Sequence, residues 1–186
     1  MQEIDWAKGV QLGSPYTYVL AVTVNAAGVP NAMGVGWWCY LSAKPRLLGM
    51  AIAPQRYTND CLQEVPEFTL CFPGKMLALP AWRCGQVSGR AVSKFEDFGL
   101  TAVPSKHVKP PLIEGSTVAF ECKVVNVVPA GDHLFYIGEI LAVHGDPQNR
   151  EHLFTEFYSR LLSLSHDGQA DWKLEETLGL PGQLSR

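Results

Sequence analysis

The sequence predicts a mainly β protein, an antiparallel Greek-key-like barrel with peripheral helices, and three observations carry that prediction. Apolar strand-like segments separated by turn residues fill the first half of the 186-residue chain. Two long segments, 116–128 and 133–144, face each other across the turn "PAGD". The helical segments are short and peripheral to this order.

The first strand is the alternating run 18–24, and "NAAGVP" with Gly28 turns it back into 32–40. Gly34 and Gly36 interrupt this second run, and glycine inside a strand marks a bulge or a close approach by a ligand or another backbone. Adjacent strand residues point to opposite faces, so Trp37 and Trp38 cannot share one core. One of them meets a ligand, a partner chain or solvent; one in the core and the other in a subunit interface is an equal reading. Strands follow at 46–52 and 68–72, with helices at 58–64, 76–83 and 93–98, the last stopped by Gly99. In the long pair, Val118, Phe120, Cys122 and Val124 share one face. The spacing of apolar residues over 150–164 reads as a helix, and the tail after Leu164 as an arm with a short helix. No repeat or linker divides the chain, so 1–186 is expected to be one domain, long enough to bury roughly 70% of its unfolded surface.

Composition excludes several function classes. A net charge of −3 gives no basic footprint for nucleic acid. No run approaches the roughly 20 apolar residues of a membrane span. The opening "MQEIDWAKG" has no apolar secretory core, which points to the cytoplasm. Five cysteines without CxxC spacing argue against disulfides, zinc or an iron–sulfur cluster, and Cys39, Cys71 and Cys122 read as small core residues. The five histidines form no i, i+4 pair, so no metal site is expected. A redox function would need an organic cofactor.

Two segments suit a phosphate. In "CGQVSGRAVSKF", 84–95, a Ser-Gly-Arg turn leads into a helix start where Ser93 and Glu96 stand at capping-box spacing. Gly89 can turn backbone amides toward an anion, and Arg90 and Lys94 supply charge. In "APQRYTND", 53–60, an apolar run breaks at Pro54 and passes Arg56 and Thr58 into a helix. Taken singly, these are more often a solvated charge and an N-cap; together they point to a ligand.

With these segments in view, the chain resembles the flavin reductase-like, FMN-binding split barrels, and among them the flavoredoxin-type branch. The resemblance is carried in order by "PNAMGVGWW", "LSAKPRLLGMAIAPQRYT", "EFTLCFP", "CGQVSGRAVSKFEDFGLT" and "GDHLFYIGE". It departs at Ala91 and Ser93, where many members carry aspartates, which bears on how Arg90 is held. The resemblance implies an FMN-binding split barrel and a homodimer with FMN near the subunit interface. It places Asn31, Met33, Val35 and Trp37 along the isoalloxazine, with Ala32 in the same stretch, and Ser42 near its polar edge. Arg56, Thr58, Ser88 and Lys94 are placed at the phosphate with Arg90 beside them, and His133 at the flavin.

The function so implied is electron transfer with FMN, as an NAD(P)H-linked flavin reductase-like oxidoreductase, with no catalytic acid or base demanded of the side chains. The alternative is a non-enzymatic flavoredoxin-type carrier that trades electrons with redox protein partners. NADH or NADPH would bind against the flavin, because "GVGWW" lacks the third glycine and the helix of a dinucleotide fingerprint. A pyridoxamine-phosphate oxidase relative shares the barrel but finds no supporting motif.

Overall fold

The computed structural model describes residues 1–166 and 172–178. A short helix, α1 (Trp6–Leu12), capped by the Asp5 carboxylate, precedes the sheet. The strands are β1 (Tyr16–Thr17), β2 (Val19–Val24), β3 (Pro30–Val35), β4 (Trp38–Ala43), β5 (Arg46–Ile52), β6 (Glu67–Pro73), the two-residue β7 (Ala102–Val103) and β8 (Leu112–Ile113), β9 (Ser116–Ala130), β10 (His133–Gly145), β11 (His152–Thr155), β12 (Leu161–His166) and β13 (Trp172–Leu178). Helix α2 (Tyr57–Glu64) follows β5; α3 (Ala78–Gln86), preceded by the 3₁₀ turn Lys75–Leu77, and α4 (Lys94–Asp97) follow β6.

Seven strands form one antiparallel sheet in the order β3-β2-β6-β9-β10-β5-β4. Its two edge strands are consecutive in sequence and joined only by Gly36 and Trp37, so the sheet curls until its edges meet: a split barrel. A second sheet runs β1-β11-β12-β13.

Strand β2 shows how the core is divided. All six of its residues are buried, and alternation sends them to two sides. Val19 and Ala21 enter the barrel interior with Leu48, Met50, Phe68, Phe120 and Tyr136. Leu20 and Val22, with Tyr18, pack outward under Ala81, Trp82 and Phe95. The long pair β9 and β10 turns at Gly131, φ 64°, and twice slips register; Gly138 at the first slip is needed, since a Cβ there would lie 2.6 Å from Phe68 Cζ.

Several expectations are corrected. The run 32–40 is two strands broken at Gly36 and Trp37. Residues 150–164 form β11, a turn and β12 rather than a helix, because Leu153, Thr155 and Leu161 are buried in strand pairing. Past Leu164 the described parts of the tail, 165–166 and 172–178, belong to strands β12 and β13; the rest of the expected arm, 167–171 and 179–186, lies outside the described residues. Cys39 is exposed on the edge strand β4; Cys71 and Cys122 are buried as expected, and all five thiols are free. No helix among the described residues is long and apolar enough to cross a membrane.

Candidate functional site

A cavity of about 490 Å³ opens between β3, the β5–α2 turn, the end of α3 and the loop before α4. Its size lies in the range of roughly 300–1,000 Å³ usual for small-molecule sites. It draws together Asn31, Met33, Val35, Trp37, Arg56, Thr58, Ser88, Arg90, Lys94 and His133. Alternation along β3 explains part of this: 31, 33 and 35 face one way. Ala32 faces the other, into the core under α3, and offers only its carbonyl. Ser42 does not reach the cavity; it lies beyond a bulge in β4, where its Oγ accepts from the Lys44 amide.

Cations gather on one side, in different states. Lys94 is 3% exposed, and its Nζ donates to the carbonyls of Ala32 and Cys84, each at 2.7 Å. It straps β3 to α3 and keeps a third proton at the cavity. Burial, with Arg56 nearby, lowers the ammonium to about 8. Arg90 is clamped: its guanidinium donates to the Gln55 carbonyl and the Asp60 carboxylate, and lies 5.5 Å from the centre of the Tyr57 ring. Asp60 on α2 thus supplies the acid that 91 and 93 lack. Arg56 is exposed at the cavity, and its guanidinium has no partner among the described residues.

The hydroxyl and amide groups are tightly placed. Thr58 is buried, with Oγ1 accepting from Asn31 Nδ2 at 3.0 Å. Asn31 Oδ1 is buried without a donor. Beside it runs Gly89, where a Cβ would sit 2.2 Å from Asn31 Oδ1 and 2.8 Å from the Tyr57 ring. Only glycine lets the loop lie this close. Ser88 Oγ accepts from the Arg90 amide. The expected capping box does not form. Helix α4 is a single turn, the Ser93 side chain makes no cap bond, and Asp97 rather than Glu96 reaches back to the Ser93 amide at 3.0 Å.

The other side is apolar and aromatic. Trp37, 40% exposed, packs its ring 5.0 Å from that of His133, whose Nδ1 lies 2.6 Å from Asp132 Oδ1. Trp38 turns inward against Phe72 and donates from Nε1 to the Thr17 carbonyl. The close approach expected at Gly34 is made by a side chain: a Cβ there would lie 1.7 Å from Tyr18 Oη. Sequence reasoning missed Tyr57, the backbone of 85–87 and Tyr158, which reaches the cavity from the β11–β12 turn. Reading 150–164 as a helix hid Tyr158, and residues 156–160 carry no glycine, proline, asparagine or aspartate to mark the turn. Among the described residues no cluster is placed to hold a metal ion.

A model of the flavin reductase like domain matches residues 12–162. An uncharacterised protein of Archaeoglobus fulgidus is 42% identical over 134 residues, covering 70% of this chain and 76% of its own. Two solved structures share the fold. An FMN-binding protein from Thermus thermophilus, with bound 1-cyclohex-2-enone, superposes with a TM-score of 0.74 at 20% identity, covering 98% of each chain. The flavoredoxin of Desulfovibrio vulgaris gives 0.72 at 22% identity, covering 100% of this chain and 98% of its own.

Proposed function

The chain belongs to the family of flavin reductase-like domains, and on that premise we propose that it binds FMN in the cleft and acts as an NAD(P)H-linked, flavin reductase-like oxidoreductase. One observation carries the reading: the free Arg56 guanidinium and the inward Lys94 ammonium meet in a cavity whose other side is Met33, Val35 and Trp37. That polarity suits a flat apolar ring bearing a terminal phosphate. Asn31 Oδ1, buried without a donor, suits a ribityl hydroxyl.

Arg56 would hold the phosphate with its planar fork, Lys94 with its third proton and Thr58 with its hydroxyl, Ser88 and Arg90 closing the same side. Trp37 and His133 would border the ring at the cavity mouth. FMN, when bound, supplies the two-electron redox chemistry; the side chains bind, orient and exclude water. We place the protein in the cytoplasm, a compartment that keeps thiols reduced, since all five cysteines are free.

We propose also that the working unit is a homodimer. Beyond Lys123 the outer edge of β9 has no partner strand among the described residues, and Val128, paired beside Phe135, is exposed there. Leu41 on the edge strand β4 is 43% exposed, and Phe135 and Leu41 close over Gly49 on that outer surface. A second copy would cover this apolar face and bound the cleft near Trp37.

The deciding experiment is an anaerobic absorbance spectrum of the FMN-loaded protein before and after NADH, then NADPH. Bleaching by either supports the reductase. A protein reduced by dithionite but by neither nucleotide is instead a carrier of the kind the flavoredoxin resemblance suggests. Failure to retain FMN at all sinks the proposal.

A further inference from the structure

The turn between β11 and β12 holds two consecutive non-glycine residues in left-handed backbone, Phe157 at φ 45° and Tyr158 at φ 56°. Side chains resist that region, and such outliers persist where surrounding structure imposes them, often at functional sites. Here local bonds impose it. The Tyr158 amide donates to Thr155 Oγ1 at 2.8 Å, the Glu156 amide to the Arg160 carbonyl at 3.1 Å, and the Ser159 amide back to the Glu156 carbonyl at 2.9 Å. The outcome is a phenol set in the cleft wall against Gly36, whose N–H donates to Tyr158 Oη at 2.9 Å. A Cβ on Gly36 would stand 2.9 Å from that oxygen and 2.4 Å from Tyr16 Cε2, so only bare backbone fits there.

With the Gly36 N–H on its oxygen, Tyr158 still has its own proton, and no acceptor takes that proton among the described residues. Burial raises the phenol to about 12, so the proton stays in place at working pH. A half-buried donor without an acceptor, aimed from a strained turn into a ligand cavity, is a group awaiting a ligand atom. Resting on the FMN reading above, we propose that Tyr158 is a binding residue of the cleft that donates its phenolic hydrogen bond to an acceptor atom of bound FMN.

The test begins with Tyr158→Phe, which keeps the ring packed against Tyr16 and Tyr18 and removes the oxygen. The expected result is FMN affinity lower by about 3- to 10-fold, the worth of one neutral hydrogen bond, with a displaced flavin absorbance band. Titration with riboflavin sorts the acceptor: weakening of both ligands places it on the ring or ribityl chain, weakening of FMN alone on the phosphate. A second variant separates donation from mere acceptance of the Gly36 N–H. A ring-fluorinated tyrosine placed at 158 loses its proton at lower pH, yet its phenolate still accepts from Gly36. Donation therefore predicts that the fluorinated protein loses FMN affinity with rising pH over a range where the unmodified protein does not. The unmodified protein, titrated in parallel, corrects for the other groups, Tyr16 and Tyr18 against Tyr158 and Arg56, Tyr57, Cys84, Arg90, Lys94 and His133 on the cavity. Unchanged affinity in Tyr158→Phe, or fluorinated and unmodified curves that fall together, overturns the proposal. Failure of the unmodified protein to take up FMN would show first, and would remove the functional reading itself.

Discussion

Lys94 makes two demands on pH, with opposite signs. In the ligand-free fold its ammonium titrates near 8, against 10.5 ordinarily. Between those values the unfolded chain keeps a proton that the folded chain has released, so stability should rise with pH across that window. A phosphate favours the charged form, so FMN affinity should fall as pH rises through about 8 while riboflavin affinity stays level. Lys94→Met should flatten the FMN curve and weaken binding by roughly 1.5–3 kcal/mol at neutral pH, the worth of a charged hydrogen bond; fluorescence titrations across pH check both. Gly34 offers a steric test. Gly34→Ala drives a methyl toward Tyr18 Oη and should cost about 1–3 kcal/mol in urea denaturation. Tyr18→Phe in the same chain should recover part of that loss, since it removes the atom first struck. At this scale the phosphate-suited residues Arg56, Thr58, Arg90 and Lys94 were legible from type and spacing, the flavin-side positions came from the family resemblance, and ten of the twelve line one cavity. Ala32 and Ser42 do not, since strand alternation turns one away and a bulge carries the other off. That Arg90 would be clamped by Asp60, thirty positions away, is a tertiary fact invisible to local pattern.

The long loop between β7 and β8 is held by a carboxylate. Glu121, wholly buried on β9, accepts from the amides of Lys106 at 2.9 Å and His107 at 2.6 Å, and lies 2.6 Å from His144 Nε2 on β10. Burial alone would raise its pKa, but the two amides and the imidazole outweigh it and hold the carboxyl below its ordinary value. A depressed carboxylate stabilises above its unfolded pKa and loses that contribution as pH falls through the folded one. Glu121→Gln should therefore cost about 1.5–3 kcal/mol at neutral pH, the worth of hydrogen bonds to a charged group, and should flatten the acid limb of the urea midpoint against pH. The strands β5, β9 and β10 were legible almost to the residue, because their alternation and turns agree. β11 to β13 were not: their apolar spacing is compatible with a helix, and only pairing with one another and with β1 decides it.

For the molecule as a unit, the proposed dimer has a plain signature: light scattering should return twice the chain mass. Leu41→Lys should halve it and lower FMN affinity together, because the same face borders the cleft; a variant that stays dimeric would place the interface elsewhere. The barrel itself was readable as a class, since strand order and hairpins suffice for that, whereas the meeting of β3 and β4 at Gly36 depends on how far the sheet curls. Strand β2, buried on both sides and bonded to β3 and β6, adds an internal clock. Its amides can trade hydrogen for deuterium only when the whole molecule opens, so their exchange reports global unfolding. Whatever fills the cleft must slow that clock in proportion to occupancy, even if it has no colour, no redox activity and no effect on any spectrum.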